Sequence, residues 1–157
     1  MASPASIGGH PVHPMLIPFP IALWVFSLVA DVIFVWRGNP VWKDYIAFYT
    51  LLGGIIGGAV AAVPGLIDWM SLTDKTVVKT ANWHARLNVI ALLIFAGSLY
   101  LRTTSGSSLV SGSYTIPLAL SVLGVILISI SGYLGGEMVF KHGVAVDTGA
   151  SDRTAGE

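Results

Sequence analysis

In the stretch "GHPVHP", His10 and His13 are each followed directly by a proline, and an apolar run begins at Met15. Further along, "WHARLN" places His84 and Asn88 one helical turn apart, and single carboxylates stand in "PGLIDW" as Asp68 and in "LGGEMV" as Glu137. Imidazole and carboxylate together form a mixed nitrogen and oxygen donor set suited to iron, zinc, copper or manganese. Imidazoles also serve as axial ligands of haem iron, with an outer carboxylate such as Asp68 accepting the second N–H and orienting the ring. On these grounds His13, His84, Asp68 and Glu137 are the candidate metal ligands. His10, His13, Asp68, His84 and Asn88 are the candidate contacts of a cofactor, whether haem b, a metal ion or a quinone. The spacing that matters is spatial, because no sequential motif such as HExxH is present.

These residues can meet only if the elements carrying them bring distant parts of the chain together. The chain is 54% apolar and 10% charged, where a soluble domain has about a quarter of its residues charged. Lipid is therefore the expected solvent. Four apolar stretches, near Met15–Trp36, Tyr45–Ile67, Trp83–Leu101 and Ile116–Gly136, each reach the ~20 residues that a helix needs to cross a bilayer. The expected fold is an all-α membrane protein, an antiparallel four-transmembrane-helix bundle. Residues 1–14 form a His-Pro strap, 15–146 the membrane domain and 147–157 a disordered polar tail. The link "RGNPVWKD" is a tight connection and "TTSGSSLVSGS" a flexible loop.

In an antiparallel bundle the start of the first span, the end of the second, the start of the third and the end of the fourth share one side. His10, His13, Asp68, His84, Glu137 and His142 then fall at one membrane face, and no histidine falls at the other. Residues before proline avoid the helical region, so His10 and His13 are expected on an extended strap across the mouth of the bundle. Trp36, Trp42, Tyr45, Tyr49, Tyr100 and Tyr114 would mark one interface; Trp69, Trp83, Tyr133 and Phe140 would mark the other. The histidine face carries Lys75, Lys79, Arg86, Lys141 and Arg153 against Arg37, Lys43 and Arg102 opposite. That bias places both termini in the cytoplasm of a multi-pass protein of the cell membrane. The first nine residues hold no lysine or arginine and do not read as a cleavable signal peptide.

Several function classes are disfavoured. The formal net charge is zero, so nothing points to nucleic acid as a partner. Cysteine is absent, which removes disulfides, thiolate metal sites and cysteine nucleophiles. No nucleophile with its base and no phosphate-binding loop appears, so the chain is not expected to be an enzyme by itself.

Small residues repeat at four-residue spacing through Gly53, Gly57 and Ala61, through Gly54, Gly58 and Ala62, and again at Gly132 and Gly136. Such stripes let helix backbones approach closely in lipid, within one bundle or between copies of a homo-oligomer. The alternative is a smooth wall for a flat porphyrin or quinone. Pro64 frees a backbone carbonyl near the histidine face. Asp31 belongs to the other face and is expected to pair structurally with Tyr49, Ser98 or Arg102.

The blocks "GHPVHPMLIPFP", "GLIDWMSL", "WHARLN" and "SGYLGGEMVFKHGVAVD" resemble those of the bacterial membrane-protein family named domain of unknown function 2231. The resemblance runs from about Gly9 to Asp147. It implies shared polar positions at His10, His13, Asp68, His84 and Asn88. Some members of that family are joined to a Rieske-type ferredoxin domain, which implies a membrane redox setting and a Rieske-type protein as a redox partner. This chain has no ferredoxin domain, and it has Glu137 where those relatives often have histidine.

Three functions follow as expectations. The first is a redox-associated membrane subunit that holds a haem, metal or quinone through His84 and one of His10 or His13. The second is a structural or assembly protein whose polar groups cap helices and set register. The third is a small-solute or ion carrier.

Overall fold

The computed structural model describes residues 3–104 and 114–146. Most of the expected flexible loop and the expected polar tail lie outside the described residues. The chain opens with two short strands, β1 (Ser6–Ile7) and β2 (His10–Pro11), paired antiparallel with Ile7 opposite His10. Gly8 and Gly9 turn this hairpin at positive φ, 57° and 83°, a region glycine enters without steric cost. Helix α1 (Val12–Leu16) follows and leads through Ile17 into α2 (Pro18–Arg37).

Pro18 and Pro20 stand in the first turn of α2, where missing N–H groups leave no helical bond unmade. Gly38 ends α2 in the left-handed region, its N–H returning to Phe34. A π-helical stretch, Trp42–Ala47, runs directly into α3 (Phe48–Met70). Helix α4 (Lys75–Thr103) begins well before the apolar run that opens at Trp83, because Asp74 caps it through Thr76 N and Val77 N at 2.7 and 3.2 Å. Helix α5 (Thr115–Phe140) is the last element among the described residues.

Among the described residues, four helical segments are long and apolar enough to cross a membrane: Val12–Arg37, Trp42–Met70, Lys75–Thr103 and Thr115–Phe140. Helices α2 and α4 each pack against both α3 and α5, so they occupy opposite corners of the bundle. The core joins those corners: Trp24 of α2 stacks on Phe95 of α4 with ring centroids 4.5 Å apart and planes 14° apart. Leu51, Ala91 and Ile128 close around the stack.

The glycine stripes make room for it. A Cβ on Gly54 or Gly58 would come within 2.5 or 2.7 Å of the Trp24 ring, and one on Gly124 within 2.5 Å of Phe95. These small residues therefore serve packing inside the bundle, where dispersion replaces the hydrophobic drive that lipid does not supply.

Candidate functional site

One seam of α4 faces the interior along its length: His84, Asn88, Ala91, Phe95, Ser98 and Arg102 recur at helical spacing. Phe95 sits in the stack, and a polar cluster lies on either side of it.

The first cluster is built on two imidazoles. His13 donates from Nδ1 to the carbonyl of Ala61 in α3 at 2.7 Å, and its ring rests on Gly65, where a Cβ would lie 2.7 Å from that nitrogen. His84 donates from Nδ1 to the carbonyl of Ser131 in α5 at 2.9 Å, with the Ser131 hydroxyl 3.0 Å from the same nitrogen. That hydroxyl donates in turn to the His84 carbonyl at 3.3 Å. The His84 ring lies over Gly135, where a Cβ would be 3.2 Å from Cε1.

Each imidazole thus bonds the carbonyl of one residue on the facing helix and rests on the glycine one turn later. A carbonyl only accepts, so Nδ1 carries the proton in both rings. Nε2 of His84 is then the acceptor, and it takes the Asn88 amide at 2.9 Å. The amide and imidazole placed one turn apart by the sequence do meet.

Ala61 and Ser131 stand equally far before the ends of their helices, Met70 and Phe140, as His84 stands after Lys75. The two anchors and His84 therefore share one depth, roughly 13 Å from the helix ends at 1.5 Å per residue. The His13 and His84 rings are 6.3 Å apart between centroids, with planes at 86°.

His13 is not on an extended strap but within α1. Pro14 falls in the first turn of that helix, where its missing N–H costs no bond, and this outweighs the restriction it places on His13. His10 is exposed in β2, and His142 is exposed in the turn after α5. Asp68 orients no imidazole. Its Oδ1 accepts from Ser3 Oγ at 2.6 Å and Ala5 N at 3.2 Å, so the carboxylate holds the N-terminal hairpin down on α3. Glu137 pairs with Lys141 at 2.6 Å along the same helix. Among the described residues, no three or more histidine, aspartate or glutamate side chains gather as a set able to hold a metal ion. The backbone carbonyls do the work expected of a carboxylate.

The second cluster lies at the opposite end. Arg102 meets Asp31 in a two-pronged pair, Nη1 to Oδ1 at 2.8 Å and Nη2 to Oδ2 at 2.7 Å, with side chains 4% and 0% exposed. Tyr114 donates to Asp31 Oδ1 and Ser121 to Oδ2, both at 2.8 Å, and Arg102 Nε reaches Ser98 Oγ at 3.3 Å. Of the partners expected for Asp31, Arg102 binds it directly and Ser98 through Arg102; Tyr49 is exposed and lies against Phe48. Tyr114 and Ser121 are partners beyond those expected, and Ser121 and Ser131 share the buried seam of α5 with Pro117, Gly124 and Ile128.

With this geometry in view, comparison with known proteins adds the family. Residues 9–148 match the profile of the family described as "Predicted membrane protein (DUF2231)". The chain belongs to this family. Searches of curated proteins and of solved structures find no match. As a DUF2231 member the chain is a predicted membrane protein, and its four apolar helices agree with that description.

Proposed function

We propose that the chain is a cofactor-binding membrane subunit of a redox system, in which His13 and His84 would hold a b-type haem. The observation that carries this reading is the imidazole pair, with centroids 6.3 Å apart and each ring anchored through Nδ1 on a backbone carbonyl. Metal-ligating histidines are held by such acceptors, which fix the tautomer and leave Nε2 for the metal. Two imidazoles held this close on facing helices would be able to share one metal.

A bare ion would need further protein ligands, and Asp68 and Glu137 are engaged elsewhere. A tetrapyrrole brings four nitrogens of its own and asks the protein for two. Bound haem supplies one-electron exchange. The chain would supply two oriented imidazoles, and Asn88 would have to release Nε2 of His84. A Rieske-type protein is the redox partner that the family resemblance supports.

A structural role is the second reading. It is favoured by the Asn88 bond, which leaves His84 with both ring nitrogens satisfied. Absorption spectroscopy of protein purified in mild detergent, with and without added haemin, separates the two. The haem reading expects a Soret band that His13→Ala and His84→Ala each abolish in folded protein. Wild-type protein that stays colourless and takes up no haemin leaves the structural role standing alone.

A further inference from the structure

The seam of α4 opposite the buried one carries Lys75, Lys79, Trp83, Arg86, Ile90 and Leu93, all exposed. It begins as three cations around an indole and continues as an aliphatic face. The Arg86 guanidinium lies 5.5 Å from the centre of the Trp83 ring.

Among the described residues, the carboxylates at this end are already occupied. Asp68 holds Ser3 and Ala5, Asp74 caps α4, and Glu137 pairs with Lys141. Among the described residues Lys75, Lys79 and Arg86 have no carboxylate partner. Arg86 stands roughly 16 Å into α4 at 1.5 Å per residue, in the first turn of the apolar run that opens at Trp83. A lipid-facing arginine at that boundary is costly unless its head reaches the phosphate layer. Tryptophan is enriched at that same layer. Beyond Leu93, Gly97 leaves open space, with no heavy atom within 4 Å of where a Cβ would be.

We propose that this seam is a seat for one anionic phospholipid. Arg86 and Lys79 receive the headgroup phosphate, the planar guanidinium bonding two of its oxygens. Trp83 marks the headgroup level, and one acyl chain lies along Ile90, Leu93 and Gly97. A zwitterionic lipid fits less well, because its own ammonium competes for the phosphate and adds a cation beside Lys75, Lys79 and Arg86.

The test is thermal unfolding of the full chain in detergent, followed by tryptophan fluorescence, with phosphatidylglycerol or phosphatidylcholine of matched chains added. Phosphatidylglycerol is expected to raise Tm saturably, by about twice the rise given by phosphatidylcholine or more. The double variant Lys79→Gln, Arg86→Gln should lose that difference, while Arg37→Gln at the opposite end keeps it. Native mass spectrometry of the wild-type protein in an equimolar lipid mixture gives a second reading that needs no variant. There phosphatidylglycerol adducts should outnumber phosphatidylcholine adducts about threefold or more. Equal shifts or equal adducts for the two lipids overturn the proposal. So does a full phosphatidylglycerol effect in the double variant, or an equal Tm rise from inorganic phosphate alone.

Discussion

The imidazole of His84 lies over Gly135, its Nδ1 bonded to the carbonyl that precedes this glycine by one turn of α5. His13 repeats the arrangement on Gly65 of α3. The two glycines do not tolerate a methyl group equally. A Cβ at Gly65 would lie 2.7 Å from Nδ1 of His13, so the ring must move and its bond to Ala61 is broken. At Gly135 the closest approach is 3.2 Å, which a few tenths of an ångström relieve. Gly65→Ala is expected to cost about 1–3 kcal/mol, the range for overpacking and a lost hydrogen bond, and Gly135→Ala less. Thermal unfolding in detergent checks the order; under the haem reading, Gly65→Ala also lowers haem occupancy more.

Above His13 on the same face of α3, Asp68 ties down the hairpin through Ser3 and Ala5. The hairpin also returns to α1 through Val12 N and Ala5 O at 2.9 Å. Asp68→Ala removes both carboxylate contacts, whereas Ser3→Ala removes one. Hydrogen exchange at Ala5 and Val12 should accelerate in both variants, at least about fivefold for Ser3→Ala on the scale of one hydrogen bond, and more for Asp68→Ala. Exchange in the middle of α2 should not change. Unaltered exchange at Ala5 would show that the carboxylate does not hold the hairpin.

The fold was legible because lipid imposes a coarse code: four apolar runs of helix length admit few other arrangements. The polar seam of α4 could also be read, since His84 and Asn88 share a face by spacing alone, and Arg102 was among the partners named for Asp31. What stayed hidden were the acceptors without side chains. Pro64 signals a freed carbonyl near this face, but nothing in the sequence marks those of Ala61 and Ser131 as partners for imidazoles, and Gly65 and Gly135 look like any other small residues in a bundle. The capture of Asp68 by Ser3 was hidden for a related reason, because it depends on how a short glycine turn folds the first residues back.

At the other end of the bundle, Asp31 and Arg102 share a buried pair completed by Tyr114 and Ser121. Removing one partner strands the other charge away from water, which typically costs about 3–5 kcal/mol. Asp31→Leu and Arg102→Met are each expected to destabilise by that amount. The double variant Asp31→Leu, Arg102→Met should recover much of the loss, since an apolar pair asks for no desolvation of charge. A double-mutant cycle on thermal unfolding measures the coupling. Single variants that add independently would remove the pair from any account of stability.

The start of α4 carries a pH dependence whose sign is fixed by its cap. The backbone N–H groups of Val77 and Thr76 hold the Asp74 carboxyl below its ordinary 3.8. A carboxylate with a lowered folded-state pKa contributes stability in full above the unfolded value and loses it as pH falls through the folded one. The first turn of α4 should therefore keep its protection at neutral pH and fray only below about 3.8. Asp74→Asn keeps a capping oxygen without the titrating group, so its first turn should show protection that varies little across the same range. Hydrogen exchange at Thr76 and Val77, corrected for intrinsic rates, distinguishes the two. If wild-type and Asp74→Asn amides lose protection in parallel on acidification, another group governs this end of the helix.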